Sequence, residues 1–339
     1  MIRAISIVVL LLVAIAPESA GESLKDLSGP TPITISAQAL DGFDRADRSR
    51  RQFGELRFRG GIVLSSSHKA FGGLSGFRIQ EDGSTFIALS DRGVWLRGRI
   101  VYQLGRPSGI TDAVIEPVLT TGGRPAFKWD TESIAQDGKK LYVGVEDIDS
   151  IMIYEYNADV PLSRARKMTI PKGLIALPKN RGLEALVFVP GNLPHGGSLI
   201  AFSERGLDNA GNLKAFLIGD SVTGEFSVKR SDDYDISDAA ILRSGEVLIL
   251  ERRFTLTGLA STRIRRIGLE RIRPGAVVDG PVIFEADMRC QIDNMECIDV
   301  HRSASGELIV TLVSDDNYSV IQRTLLLQFT LAATDSLDK

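Results

Sequence analysis

Acidic residues recur along the chain at the points where apolar segments begin and end. One set opens an apolar segment and a second set closes one. The opening set is Glu132, Glu184, Asp238 and Glu296, with Ser75 at the corresponding point of the first segment, and the closing set is Asp91, Glu146 with Asp147, Glu204, Glu251, and Asp315 with Asp316. Carboxylates that converge on one place repel each other, which raises their pKa values unless a positive charge compensates. A hard divalent cation such as Ca²⁺, which takes about six to eight oxygen ligands, would provide that compensation.

Arginine follows the closing acidic residue in three segments, as Asp91-Arg92, Glu204-Arg205 and Glu251-Arg252. A guanidinium pairs with carboxylates or binds an anion through two parallel hydrogen bonds. The predicted metal ligands are Glu132, Glu184, Asp238, Glu296, Asp91 and Asp315, the predicted catalytic residues are Arg92, Arg205 and Glu204, and the predicted substrate-binding residues are Arg252 and Asn317. The alternative interpretation is architectural, because acidic side chains also cap strands and accept hydrogen bonds from backbone amides.

Other kinds of site find little support in the sequence. The histidines are His68, His195 and His301, with no close pair and no HExxH, which argues against a zinc hydrolase. Ser75 lies in GLSGF, which lacks the second glycine of G-x-S-x-G, and no phosphate-binding or dinucleotide-binding glycine motif occurs. The balance of 40 Lys and Arg against 43 Asp and Glu gives a net charge of −3, which argues against a nucleic-acid binder.

The acidic residues belong to a sequence unit that recurs five times. The copies are GLSGFRIQEDGSTFIALSDRG, DTESIAQDGKKLYVGVED, GLEALVFVPGNLPHGGSLIAFSERG, ISDAAILRSGEVLILERR and MECIDVHRSASGELIVTLVSDDN. The reference points Ser75, Glu132, Glu184, Asp238 and Glu296 lie 57, 52, 54 and 58 residues apart. Each copy reads as two apolar strands joined by a glycine-containing turn, which is typical of a β-hairpin, and further strands follow. Three to four antiparallel strands at this period are typical of a propeller blade.

The sequence therefore predicts an all-β fold, a single β-propeller with five blades. A sixth, degenerate blade within residues 31–64 or 92–128 stays open, as does a β-sandwich with evenly spaced turns. The last unit ends after TLLLQFTL, so we expect the N-terminal strand within ELRFRGGIVL to close the ring. Because the first two strands of a blade run antiparallel, the opening and closing acidic sets should lie on one face, around the mouth of the central channel.

The chain begins like an exported protein. Arg3 precedes an unbroken apolar run from Ile5 to Ala16, which is shorter than the roughly 20 residues that span a bilayer. The predicted organisation is a signal peptide at 1–20, an N-terminal extension at 21–49, the propeller at 50–331 and a C-terminal tail at 332–339. Cleavage after Ala16 and retention of the segment as an anchor are the alternatives. We expect a periplasmic or secreted monomer with no membrane span after cleavage.

The two cysteines of the chain, Cys290 and Cys297, lie close together in RCQIDNMEC. In a chain exported to an oxidising compartment, this spacing predicts a local disulfide. The alternative is two reduced thiols, buried separately.

The motifs GLSG and SDRG, DTESIA, GLEAL and SERG, and the late SDDN resemble those of the bacterial family named phytase-like, or "esterase-like activity of phytase". The resemblance covers residues 50–331. It implies an exported propeller that hydrolyses phosphoesters or esters, with Ca²⁺ as its metal by analogy with propeller phytases. The matching positions are Asp91, Arg92, Glu132, Glu184, Glu204, Arg205, and Asp315 to Asn317. The fourth unit departs from the pattern, with Asp238 for glutamate and Glu251-Arg252-Arg253 for the ERG phrase.

Together the residues and the resemblance favour a metal-assisted phosphoesterase or esterase. In this interpretation the carboxylates hold Ca²⁺, while Arg92 and Arg205 neutralise charge that develops on a small-molecule substrate, a phosphorylated one among the candidates. The alternative function is a non-catalytic periplasmic propeller that binds a ligand or serves as a scaffold.

Overall fold

The apolar runs of the sequence form strands in the computed structural model of the chain, which describes residues 24–146, 148–157, 162–175, 177–178, 182–254 and 260–332. The predicted signal peptide at 1–20 and Asp147 lie outside these residues. Among the helices of the described residues, none is long and apolar enough to cross a bilayer.

Strands account for nearly all of the regular structure. Before the first repeat lie the 3-10 helix Leu24–Asp26 and strands β1 (Thr31–Pro32), β2 (Ser36–Ala39), β3 (Gln52–Phe53) and β4 (Leu56–Ser65). The first two repeats form β5 (Leu74–Ile79), β6 (Thr85–Ser90), β7 (Val94–Gln103), β8 (Arg106–Pro117), β9 (Thr131–Asp137), β10 (Lys140–Val145), β11 (Ser150–Glu155) and β12 (Arg166–Lys167), followed by helix α1 (Lys172–Ile175).

The remaining repeats follow the same plan. They form β13 (Leu183–Phe188), β14 (Leu199–Leu207), β15 (Leu213–Ile218), β16 (Thr223–Val228), β17 (Asp235–Ile241), β18 (Glu246–Phe254), β19 (Ala260–Gly268), the 3-10 helix Leu269–Arg271, β20 (Val277–Val278), β21 (Val282–Asp287), β22 (Asn294–Arg302), β23 (Leu308–Asp315) and β24 (Thr324–Leu331).

The strands form five antiparallel blades, which confirms the predicted five-bladed propeller. Blade 1 is β5 to β8 with β1 at its edge, blade 2 is β9 to β12, and blade 3 is β13 to β16 with β20 added in parallel. Blade 4 is β17, β18, β19 and β21. Blade 5 combines β22, β23 and β24 with the N-terminal strands β4 and β2, so the predicted N-terminal strand closes the ring. The inner strands, which line the channel, are β5, β9, β13, β17 and β22.

Apolar side chains fill the space between successive blades. Five buried clusters lie at the five blade junctions, one cluster at each junction. The junction between blades 5 and 1 is as well filled as the others, with Phe77 and Val313 among its buried residues. Since burial of such a side chain contributes about 1.5–3 kcal/mol, the seam closed by β4 is held by packing as well as by hydrogen bonds.

Every inner strand has a β-bulge near its beginning. The register shifts between Leu74 and Gly76 in blade 1, and at the corresponding point of each other blade. The bulged residues are Ser75, Glu132, Glu184, Ser237 and Glu296. A bulge inserts one unpaired residue and re-aims its side chain. The bulge therefore fixes which residue of each blade occupies the equivalent position at the channel mouth.

The predicted disulfide was wrong. Cys290 and Cys297 are free thiols, and both are buried. Cys290 packs in the cluster between blades 4 and 5, whereas Cys297 packs in the cluster between blades 5 and 1 and donates to the carbonyl of Leu74 at 3.6 Å. Blade 5 itself therefore separates the two sulfur atoms. Burial raises the pKa of Cys290 to about 11 and that of Cys297 well above its ordinary value, so both thiols stay protonated at neutral pH.

Candidate functional site

The inner strands begin, and the second strands end, at the same end of the channel, which we call the mouth. A cavity of about 530 Å³ opens there. Its lining residues are Ser75, Asp91, Glu132, Glu146, Glu184, Glu204, Arg205, Asp233, Asp235, Arg252, Phe254, Asn294, Glu296, Asp315, Asn317 and Gln322. All the site residues predicted from the sequence, apart from Asp238 and Arg92, are in this lining.

Blade 4 differs from the register assumed in the sequence by one residue. Its bulged residue is Ser237 rather than Asp238. The residue that precedes each bulge pairs with a residue of the second strand, and the next residue of that strand is the equivalent position at the mouth. These equivalent residues are Asp91, Glu146, Glu204, Arg252 and Asp315. Glu251 was assigned to this position, but Arg252 occupies it. Ten equivalent positions at the mouth thus carry seven carboxylates, two serines and one arginine.

The two serines at the bulge connect neighbouring blades. Ser75 donates a hydrogen bond to the carbonyl of Thr131 in blade 2 at 2.5 Å, and Ser237 donates to the carbonyl of Met295 in blade 5 at 3.0 Å. Both hydroxyls are therefore satisfied within the wall of the channel. The glutamates at the other three bulges are left to form the floor of the mouth.

Asp238 lies deeper in the channel, where it pairs with Arg78. The guanidinium of Arg78 donates to the two carboxylate oxygens of Asp238 at 3.0 and 3.1 Å. It also donates to the carbonyls of Phe77 at 2.6 Å, and of Ile298 and Leu186 at 3.2 Å. Arg78 thus contacts four blades, and Asp238 has no oxygen left to present at the mouth. Sequence reasoning missed Arg78, although an arginine within the apolar segment GLSGFRIQ was a signal that it has a buried partner.

Glu251 is also turned away from the mouth. Its carboxylate is fully buried and accepts hydrogen bonds from Arg263 at 2.7 Å and from Arg265 at 2.5 and 2.8 Å. Arg265 continues to Asp279 at 2.9 Å. This ion-pair network lies within blade 4 and connects its strands β18 and β19.

Arg252 extends from blade 4 over the floor of the mouth. Its Nη2 donates to Glu184 Oε1 at 3.0 Å and to Glu204 Oε1 at 3.2 Å, and its Nη1 donates to Asn294 Oδ1 at 3.0 Å and pairs with Glu296. Burial raises the pKa of Glu184, although the Arg252 charge lowers it. The side chain predicted to bind substrate is thus bound to two predicted metal ligands and to Glu204.

The opposite side of the mouth brings three further carboxylates close together. Asp130, Glu132 and Glu146 each place one oxygen within 4.8 Å of the other two. Burial raises the pKa of Glu132 well above its ordinary value, and the charge of Glu184 and the hydrogen bond to Asp130 add to the rise. Glu146 also accepts a hydrogen bond from the amide of Gly182 at 2.6 Å. Three hard oxygen donors at this spacing fit a divalent cation. We call Asp130, Glu132 and Glu146 the carboxylate triad.

Asp91 and Asp315 complete this carboxylate-rich side. Burial raises the pKa of Asp91 to about 7, and the charge of Asp315 adds to the rise. Burial likewise raises the pKa of Asp315 to about 6, although a hydrogen bond from the amide of Asn317 lowers it. One buried oxygen of Asp91 accepts no hydrogen bond from the described residues. That oxygen packs close to Gly73, and the charge of Asp91 contributes to the raised pKa of Glu132 in the triad.

The family of the chain can be read from the extent of its match to a family model. The model described as "Phytase-like: Esterase-like activity of phytase" matches residues 69–318, which run from just before β5 to just after β23. The chain belongs to the phytase-like family. The match includes the inner and second strands of all five blades, so it covers every lining residue of the mouth except Gln322.

The solved structures that are similar to the phytase-like chain include two of low sequence identity. A glutaminyl cyclase from Myxococcus xanthus is 10% identical over 89% of this chain and 100% of that chain, with a TM-score of 0.43. A PQQ-bound aldose sugar dehydrogenase from Streptomyces coelicolor is 12% identical over 88% and 99%, with a TM-score of 0.40. The curated proteins gave no match. No functional conclusion follows from identities this low.

The predicted metal set omitted two residues of the triad, Asp130 and Glu146, and the family motif contains the first of them. In the phytase-like segment DTESIA, Asp130 is the first letter and Glu132 the third. Asp130 precedes the inner strand and Glu146 follows the second strand, so the hairpin of blade 2 brings them together. The spacing within one hairpin was the signal that could have identified this cluster.

The two arginines predicted to be catalytic, Arg92 and Arg205, also have partners of their own. Arg205 lines the mouth, and its Nε donates to Asp235 at 2.8 Å while its Nη2 donates to the same carboxylate. Asp235 also accepts from Arg230 at 3.0 Å. The Arg92 guanidinium lies 3.5 Å from the centre of the Tyr318 ring, outside the cavity lining. Asn317 is in the left-handed region, with φ of 48°, and lines the cavity beside Asp315.

Proposed function

We propose that this phytase-like propeller is a cation-dependent ester hydrolase whose site is the acidic mouth. The observation that carries the proposal is the carboxylate triad, whose oxygens lie within 4.8 Å of one another. Asp130, Glu132 and Glu146 would hold the cation, and Ca²⁺ suits a set made of oxygen ligands. When bound, the cation supplies Lewis-acid polarisation of an ester or phosphoryl oxygen.

The charges and ion pairs at the mouth favour a small ester as the substrate. Asp91 lines the cavity and its charge acts on Glu132, so it would add negative charge on the cation side. Arg205 and Arg252 are bound to carboxylates, so they would add little charge for an incoming anion. This arrangement suits a neutral carboxylic ester or a phosphoester of low charge better than a polyanion such as phytate. We propose that the protein acts on this small-molecule substrate as an exported monomer, in the periplasm or outside the cell.

The same paired arginines support a second candidate, a non-catalytic propeller that binds a ligand at the mouth. In that case the ion pairs of Arg205 and Arg252 would only hold neighbouring blades together. Turnover distinguishes the two candidates.

The test is an assay of the purified protein on an aryl phosphate, phytate and an aryl acetate, with added Ca²⁺ and with chelator. We expect hydrolysis that requires the cation, and a loss of about 100-fold or more in kcat/KM in Glu132→Gln, equal to about 2.7 kcal/mol. The matched control is Glu155→Gln, because Glu155 is exposed on β11 away from the mouth. Full activity with chelator would contradict the proposal, and no turnover on any substrate would favour the binding propeller.

Stability gives a second readout for the same cation. A ligand that binds only the folded state at about 100 times its Kd raises the free energy of unfolding by about 2.7 kcal/mol. We expect Ca²⁺ to raise the urea midpoint of the wild-type protein and of Glu155→Gln, and to have little effect on Glu132→Gln. An unchanged wild-type midpoint would argue that the triad holds no cation.

A further inference from the structure

Arg252 is the exception among the equivalent positions of the mouth. The other four blades place a carboxylate at this position, namely Asp91, Glu146, Glu204 and Asp315. Only about one sixth of the Arg252 side chain is exposed, and the side chains of Glu184, Glu204 and Glu296 are similarly shielded. The guanidinium is therefore held inside the mouth and does not extend into solvent.

Four side-chain oxygens surround this guanidinium. They belong to Glu184 and Glu204 of blade 3 and to Asn294 and Glu296 of blade 5. Asn294 also donates to Glu296 at 2.7 Å, which fixes the amide with its oxygen toward Arg252. Three carboxylates and one amide oxygen form the kind of donor set that binds Ca²⁺, which leaves its remaining positions to water. Here a side chain of the protein fills the centre of that set.

The charge of this group is only partly balanced. One guanidinium faces three carboxylates, and Glu184 is further influenced by the charges of Glu146 and Asp130 across the mouth. A divalent ion in place of the guanidinium would neutralise more of this charge. With Arg252 in position, its N–H groups use the oxygens, and its charge repels a second cation from the same place.

We propose that Arg252 is a built-in counter-cation that fills a latent second cation site and thereby limits the mouth to one divalent ion, held by the carboxylate triad. The latent site consists of Glu184, Glu204, Asn294 and Glu296. The statement about the first ion rests on the proposed function, whereas the statement about the latent site rests on the contacts of Arg252.

The experiment counts Ca²⁺ ions by calorimetric titration of CaCl₂ into four metal-free proteins. We expect one ion in the wild type, two in Arg252→Ala, none in Glu132→Gln and one in the double variant Glu132→Gln, Arg252→Ala. The matched control is Arg252→Lys, which keeps the positive charge and should bind one ion, like the wild type.

The double variant separates this proposal from the proposed function. If the wild type binds no ion but Arg252→Ala binds one, the triad fails as a cation site while the latent site stands. If Arg252→Ala gains no ion over the wild type, or if the wild type already binds two, the proposal about Arg252 is overturned.

Loss of the buried guanidinium leaves three carboxylates facing each other, so Arg252→Ala needs a check on folding. We expect its melting temperature to fall without Ca²⁺ and to recover toward the wild-type value with 10 mM CaCl₂, because the ion replaces the missing charge. This concentration is about 100 times a sub-millimolar Kd. Arg252→Gln provides a second variant with a larger side chain. Failure of Ca²⁺ to restore either variant would show that the four oxygens do not form a cation site.

Discussion

The interior of the channel and its mouth handle buried charge in opposite ways. In the interior, Arg78 is matched by Asp238 and by backbone carbonyls, so its donors and the carboxylate satisfy each other. At the mouth, Arg252 contacts three of the seven carboxylates at equivalent positions, and burial raises the pKa values of Asp91, Glu132, Glu184 and Asp315. A balanced ion pair at the centre serves the architecture, whereas an unbalanced set at the mouth favours the binding of a cation. Ion pairs along the same channel can therefore have different roles, and the ratio of positive to negative side chains in each group distinguishes these roles.

The largest effect should come from breaking the interior pair. Arg78→Ala leaves Asp238 buried without a positive partner, which costs about 3–5 kcal/mol of the free energy of unfolding. Urea unfolding in chelator measures the loss without any contribution from a bound cation. Arg243→Ala is the control, because Arg243 is exposed and its contact with Glu81 is long, at 3.7 Å. If Arg78→Ala loses no more stability than the control, the architectural role of Arg78 is contradicted. The double variant Arg78→Ala, Asp238→Asn should recover part of the lost stability, because it no longer buries an unpaired charge.

A second prediction tests how completely the buried charges in the interior of the channel are balanced. Burial raises the pKa of Asp299 to about 6, although the charge of Arg78 lowers it. The folded state therefore binds more protons than the unfolded state between about pH 4 and pH 6, and the stability falls as the pH rises through this range. Asp299→Asn should be more stable than the wild type at pH 8 by about 1–3 kcal/mol and equal to it at pH 4.

Urea midpoints at pH 4, 6 and 8 measure this difference. Asp82 supplies the control of opposite sign, since its hydrogen bonds with Thr85 and Ser84 lower its pKa to about 2 despite the effect of burial. Asp82→Asn should lose stability relative to the wild type at pH 8. Parallel pH profiles for the wild type and Asp299→Asn would show that Asp299 is not a source of strain in the channel.

The smallest effect should come from the edge of the mouth. Arg92 stacks on Tyr318 at 3.5 Å, and replacement by lysine keeps the charge but loses the planar contact. Arg92→Lys should lower the free energy of unfolding by about 0.5–1 kcal/mol. Thermal unfolding measures this loss, with Arg99→Lys as the control because Arg99 pairs with Asp82 on the surface. A fall in kcat/KM beyond the loss of stability would support the catalytic role predicted for Arg92.

The sequence allowed the fold to be predicted because each blade repeats the same hairpin. Glycine turns and apolar strands recur at a regular spacing, and the missing outer strand of the last unit pointed to ELRFRGGIVL as the strand that closes the ring. Strand pairing depends on these local patterns and on backbone hydrogen bonds. The predicted number of blades and the closing strand were therefore confirmed.

The register of blade 4 could not be predicted in the same way. Ser237 and Asp238 are both polar, and so are Glu251 and Arg252, so the sequence does not indicate which member of each pair faces the mouth. A one-residue shift at a bulge turns a side chain to another direction. The partners of the arginines depend on contacts between blades that are far apart in the chain, as in the pair of Arg78 with Asp238, and no local pattern indicates them.

The pairing of β24 with β4 also has a consequence for the time at which the propeller can form. It joins residues 324–331 to residues 56–64, so the ring needs both ends of the described chain. During synthesis, β4 has no partner for its closing edge until β24 leaves the ribosome, and blade 5 stays incomplete until then. Contacts this distant in sequence form late in folding. Closure of the ring is therefore among the last steps of folding, and the nascent chain carries an unpaired strand edge until β24 is made.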